Sequence, residues 1–112
     1  MKNLSNGKLQ KNITINVAQE FTPFPAGRKR KEGKFSGEKF REEHLVKALE
    51  HRGIVTVELD GAAGYGPSFL DEAFGGLVRN NKFKKKYLEE HLKISTSRQS
   101  RKMLIWEAIR TA

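Results

Sequence analysis

Ser68 is the residue best placed to do chemistry. It follows Gly66-Pro67 and precedes Phe69-Leu70-Asp71-Glu72, so its hydroxyl stands at the expected head of a helix. A helix start carries unpaired N–H groups and a partial positive charge, which favour a phosphate there. The same spacing admits a structural role, with Ser68 as N-cap and Asp71 three residues on in a capping box. Asp71 and Glu72, read into the first turn, also oppose an added phosphate. Ahead of Ser68 lies a loop holding Gly61, Gly64 and Gly66. Such glycines can bring backbone N–H groups to a nucleotide phosphate, or simply give the chain conformational freedom. The Gly-x-Gly-x-x-Gly spacing is absent. Asp60, at the end of a strand, reads as a carboxylate that caps the turn.

Other chemistries lack their parts. There is no cysteine, which excludes disulfides and thiolate zinc sites. His44, His51 and His91 read as surface-helix residues. In Glu42-Glu43-His44 and Glu89-Glu90-His91 the neighbours point apart on a helix, so no metal and no cofactor are expected. The run Gly66-Pro67-Ser68-Phe69-Leu70 lacks the second glycine of a nucleophile elbow. Residues 27–35 are not a P-loop: five residues separate Gly27 from Gly33, and Phe35 stands where a metal-binding hydroxyl belongs. No acid, base and nucleophile assemble, so a non-enzymatic role is expected.

Charge is the other strong signal. The chain of 112 residues carries 22 basic and 13 acidic side chains, a net +9. Such a surface attracts polyanions or an acidic protein. The cations cluster in two places. Arg28, Lys29, Arg30, Lys31 and Lys34 form one loop; Arg79, Lys82, Lys84, Lys85 and Lys86 form a band that includes Phe83 and Tyr87. Interleaved cations and aromatics can follow a nucleic-acid strand. Phe83 and Tyr87 are four apart, however, and at that spacing cover one face of a helix, toward the core. A nucleic-acid-associated role for both patches is the alternative to protein binding.

The elements that position these residues follow from periodicity. Ile13, Ile15 and Val17 alternate with polar residues as a half-buried strand. Ser36-Gly37-Glu38 opens a helix with Phe40, Leu45, Val46 and Leu49 on its apolar face, closed by a left-handed Gly53. Residues 54–60 form the best strand, β-branched and suited to the middle of a sheet. The helix from Ser68 places Phe69, Leu70, Ala73, Phe74, Leu77 and Val78 in adjoining rows, so it is largely buried. Gly75-Gly76 within it implies close approach to a neighbouring backbone, since each glycine costs roughly 1 kcal/mol against alanine. A short helix over 84–91, a strand over 92–95 and a last helix from about Ser97 follow. Met103, Leu104, Trp106 and Ile109 are its expected anchors. The order β-α-β-α-α-β-α predicts an α/β fold, a small mixed, mostly parallel sheet with helices packed against it. Residues 11–112 make a single domain after a flexible N-terminus, residues 1–10. That terminus has no apolar leader, and no run approaches the ~20 apolar residues of a membrane helix. A cytoplasmic, membrane-free setting is expected.

Several of these segments together resemble a known family. Leu59-Asp60-Gly61, then Gly64-Tyr65-Gly66-Pro67-Ser68-Phe69-Leu70, then Glu72-Ala73-Phe74-Gly75-Gly76-Leu77 are similar to the STAS-like family of unknown function. So are Phe35-Ser36-Gly37-Glu38-Lys39-Phe40-Arg41, the preceding Gly27-Arg28 turn and the closing Ile105-Trp106-Glu107-Ala108-Ile109. The resemblance covers roughly residues 13–110. It implies a regulatory module that works by protein contact. STAS domains proper include anti-sigma-factor antagonists, in which a kinase phosphorylates a serine at the head of the helix after a strand; by resemblance Ser68 holds that place. Those antagonists have an acidic residue before the serine, where this chain has Pro67. The implied partner is a histidine-kinase-like ATPase or a serine kinase. The implied partner surface comprises Asp60, Gly61, Gly64, Tyr65, Gly66, Pro67, Ser68 and Asp71.

Overall fold

The computed structural model describes residues 11–112; the N-terminal residues 1–10, expected to fray, lie outside the described residues. Strand β1 (Lys11–Asn16), strand β2 (Arg52–Glu58) and strand β3 (Leu92–Ser95) form one sheet in the order β1-β2-β3. Both pairings are parallel, and Ile15, Val57 and Ile94 lie side by side across the sheet. The sheet is thus parallel throughout. As the middle strand, β2 is hydrogen-bonded on both sides, and Val55, Val57 and the following Leu59 are fully buried. Its β-branched composition answers that environment.

Two helices cross between the strands with an unusual feature in common. Helix α2 spans residues 37–49 and helix α3 residues 67–79, and each contains a widened π turn, at Arg41–Leu45 and Asp71–Gly75. Ser36 starts α2 as expected, its buried hydroxyl accepting the Lys39 N–H at 3.2 Å. Helix α4 (Lys85–His91) and helix α5 (Gln99–Thr111) complete the order β-α-β-α-α-β-α. Two short turns were not foreseen, a 3₁₀ turn at Arg30–Glu32 and helix α1, Val17–Glu20. Asn16 caps it by accepting the Gln19 N–H at 3.0 Å, while the Glu20 carboxylate accepts the Asn16 N–H at 2.9 Å. That reciprocal pair turns the chain out of β1 before Val17 can extend it.

Phe40, Leu45 and Leu49 from α2 meet Phe69, Leu70, Phe74 and Leu77 from α3 in a core that includes Leu88, Ile105 and Ile109. Each fully buried side chain of this kind contributes about 1.5–3 kcal/mol. Two expectations need correction. The left-handed residue after α2 is Arg52 (φ 66), not Gly53. Gly53 lies within β2, where any Cβ would collide with the Lys11 carbonyl, so strand proximity is what requires glycine there. In α5, Ile105, Ala108 and Ile109 face the core, whereas Met103 and Leu104, expected as anchors, are 64% and 47% exposed. Among the described residues no helix is long and apolar enough to cross a membrane.

Candidate functional site

The 61–68 connection leaves the carboxyl end of β2, the end where parallel sheets characteristically place their sites. It ends in α3 with Gly66 as N-cap and Pro67 in the first turn, so Ser68 is the second helical residue. Gly66 offers no side-chain cap. Ser68 is therefore not the capping residue, which corrects that reading: it sits two positions further along, exposed, with its hydroxyl directed to no partner among the described residues. Helix geometry leaves the Ser68 and Phe69 N–H groups without intrahelical acceptors. Asp71 and Glu72 fall in the second turn rather than the first.

The loop itself is fastened down. The Tyr65 hydroxyl donates to the Leu59 carbonyl at 2.7 Å, and burial pushes its pKa up to about 12. The Arg101 guanidinium lies 4.7 Å from the Tyr65 ring centre, a cation–π contact, and 3.7 Å from Asp60. Asp60 accepts hydrogen bonds from the Thr96 hydroxyl at 3.0 Å and the Ser97 N–H at 2.9 Å. It does cap a turn, but the one between β3 and α5, not its own. Loss of water pushes the Asp60 carboxyl up, and these donors with Arg101 hold it below the usual carboxylate range. Of the three loop glycines only Gly61 has positive φ, +102, where its missing side chain also clears Ala18. A Cβ on Gly64 or Gly66 would meet nothing. The Ala63 N–H reaches the Pro23 carbonyl at 2.8 Å.

Beside Ser68 stands a cluster of ion pairs. Arg28 reaches Asp71 at 2.6 Å, and Arg79 reaches the same carboxylate at 3.1 Å. Ser68 and Asp71 are three apart on α3, which brings their Cβ atoms to about 5–6 Å. Burial pushes the Asp71 carboxyl up, but the two arginines outweigh it and hold it below the usual range. Below it, Arg41 donates to the Glu72 carboxylate at 2.7 Å and to the Glu72 carbonyl at 2.6 Å, and Lys29 adds a contact at 3.3 Å. Arg41 is 2% exposed and Glu72 3%. Burial pushes Glu72 up; Arg41 and then Lys29 pull it below the usual range. A Cβ on Gly76 would collide with the Arg41 guanidinium. The glycine pair thus admits a side chain at Gly76 and approaches a backbone, the Ala108 carbonyl, at Gly75.

These pairs change the meaning of the first basic patch. Arg28, Lys29 and Arg30 are bound to acids, Arg30 reaching Glu42 at 2.9 Å and Glu43 at 3.3 Å. The loop is a tether between α2 and α3 rather than a patch open along its length to a polyanion. Lys31 and Lys34 are exposed and make no ion pair among the described residues. In the second patch Arg79 belongs to Asp71, while Lys82, Lys84, Lys85 and Lys86 are exposed. Phe83 and Tyr87 stack on each other and join the core; the Tyr87 hydroxyl donates to the Leu49 carbonyl at 2.7 Å. The band offers charge with its aromatic faces turned inward.

The histidines differ from expectation. His44 is half-buried and stacks on Phe40, and His91 stacks on Tyr87 with its Nδ1 2.9 Å from the Gly53 carbonyl; His51 is exposed in the turn after α2. No three His, Cys, Asp or Glu side chains among the described residues gather as metal ligands. Sequence reasoning missed Arg41, Glu72 and Arg101. The glycine pair did signal that something passes close to α3, but not that it is an arginine.

Comparison with known families finds one whose description is a STAS-like domain of unknown function, matching residues 36–100, more than half the chain. That span runs from the cap of α2 into the start of α5 and holds the whole 61–68 loop. No curated protein and no solved structure matches.

Proposed function

The chain belongs to the STAS-like family of unknown function, and on that premise we propose that it is a cytoplasmic, non-enzymatic regulatory module. It binds a protein partner through the 61–68 loop and the head of α3, and phosphorylation of Ser68 switches that contact. One observation carries the reading: the Ser68 hydroxyl is exposed and uninvolved in capping, with Arg28 and Arg79 held one turn away on Asp71.

The electrostatics support it. The acids that opposed a phosphate on sequence grounds are each matched by cations. A phosphate on Ser68 brings about −1.5 to −2 charges and three strong acceptors. It meets the unpaired N–H groups at the head of α3 and competes with Asp71 for Arg28 and Arg79. The switch would then alter both the docking face and the tether formed by the 28–30 loop. By analogy with STAS systems the partner is a histidine-kinase-like ATPase or serine kinase. The Ser68 oxygen would attack the γ-phosphorus of ATP; the bond to the β-phosphate breaks, ADP leaves, and the hydroxyl proton passes to a base on the kinase. Phosphopeptide mapping of the chain isolated from its native cells tests this. Phosphate on Ser68 supports the switch; phosphate confined to other residues refutes it.

A further inference from the structure

The segment that follows α1 runs beside the 61–68 loop with one large side chain turned outward. Phe21 packs against Phe40 and Phe69, its ring centre 5.1 and 6.4 Å from theirs, and Pro25 is buried. Phe24, between them, is 69% exposed, the most exposed large apolar side chain among the described residues. It is nevertheless firmly held. Pro23 and Pro25 restrict the backbone on either side of it. The buried Thr22 accepts the Phe24 N–H on its hydroxyl at 3.0 Å. The Pro23 carbonyl accepts the Ala63 N–H at 2.8 Å. Phe24 thus projects from a rigid turn that is fastened to the 61–68 loop.

Both strands of that contact are free of charge. Residues 21–27 contain no charged side chain, and residues 61–70 are the longest uncharged run of a chain in which 31% of residues are charged. The Ala63–Pro23 hydrogen bond joins the two runs, and Pro23, Ala26, Gly61 and Ala63 are exposed on them. The centre of a protein interface is depleted of charge and enriched in aromatic side chains. An aromatic anchor already fixed in place loses little freedom on docking. We infer that Phe24 anchors the docking surface by entering an apolar, uncharged pocket on the partner protein, with the 61–66 loop as the dry surface beside it. The inference rests on the reading of the chain as a protein-binding module. It adds the residue that holds the partner and the chemistry of the pocket that receives it.

The chemistry selects that occupant. Nucleic acid and anionic bilayers are held by cations beside the contact. The two runs carry none, and the arginines that border them, Arg28 and Arg101, are engaged by Asp71 and Asp60. A bilayer also calls for a broader apolar face than one phenyl ring. A second copy would have to receive the ring in a cavity of its own. Its larger cavities are lined by α5 residues such as Trp106 and Met103, not by either run. A contact between such unlike faces leaves open ends that grow into filaments. Ser68 belongs to the same uncharged run, so a phosphate there brings the first charge to a surface otherwise without one.

The test is site-specific photo-crosslinking of the full chain in its native cells. Phe24, Ala63 and Lys93 are replaced singly by p-azidophenylalanine, which keeps the phenyl ring. Lys93 is the control, exposed between the buried Leu92 and Ile94 on the sheet face away from the core. The expected result is one protein joined from positions 24 and 63 and not from 93, with the peptide joined at 24 apolar and uncharged by mass spectrometry. With that protein purified, Phe24→Ser should weaken binding about tenfold and Phe24→Leu much less, both with the wild-type melting curve. A charged peptide at position 24, or joining there to nucleic acid, lipid or a second copy, overturns the inference. So does binding by Phe24→Ser equal to wild type. A protein joined from 63 but never from 24 removes the anchor and keeps the loop as the docking site; joining from neither removes both.

Discussion

Arg41 reaches from α2 to α3 and closes on Glu72, its Nη1 lying 2.7 Å from the carboxylate and 2.6 Å from the same residue's carbonyl oxygen. Both residues sit in π turns, and both are almost wholly buried. The pair fixes how α3, and with it Ser68, is seated on α2. Removing one partner strands the other charge in the core, which costs about 3–5 kcal/mol. Glu72→Gln should lower stability by that order in chemical denaturation. A change below 1 kcal/mol, on the order of a surface ion pair, would contradict the geometry.

The same carboxylates set the response to acid. Asp71 and Glu72 titrate below the usual range when folded, against about 4 in an unfolded chain. Their contribution is therefore complete above about pH 4 and is lost as the pH falls through the folded-state values. Wild type should lose stability through that acid range, and the gap between wild type and Glu72→Gln should narrow there. Parallel stability curves from neutral to acid pH would rule the linkage out.

Two serines at helix starts should behave oppositely. Ser36 caps α2 through its hydroxyl, so Ser36→Ala costs about 1 kcal/mol. Ser68 caps nothing, so Ser68→Ala stays within about 0.5 kcal/mol of wild type. Thermal melts of the two variants check this. A Ser68→Ala loss equal to that of Ser36→Ala would restore the capping role.

Glycines sort in the same way. Gly53→Ala drives a methyl into the Lys11 backbone and should cost about 1–3 kcal/mol while loosening β1 from β2. Gly64→Ala meets empty space at an ordinary backbone angle and should be near neutral. Equal effects would mean that β1 and β2 are not paired as described.

Much of the fold was legible because periodicity reports burial. Ile13 and Ile15 announced β1, the β-branched run announced the middle strand, and Leu92–Ser95 was placed residue for residue. The errors have a common cause: tertiary partners that local pattern cannot name. Apolar type suggested Met103 and Leu104 as anchors of α5, yet a helix has one buried side and theirs is the other. Charge alone suggested that Arg28, Lys29 and Arg30 were open to a polyanion or an acidic partner, because Asp71, Glu72, Glu42 and Glu43 are distant in sequence or on another element. The loop around Ser68 was found from its residues, but the capping reading missed Pro67 as the true first helical residue.

The account turns on an accessible Ser68 whose charge state governs docking at the head of α3. Capture experiments with wild type, Ser68→Ala and Ser68→Asp, each in the full chain and at matched stability, test that most directly. The account predicts a protein retained by wild type and Ser68→Ala but released by Ser68→Asp, or the reverse. Identical recovery of every partner by all three proteins would contradict it.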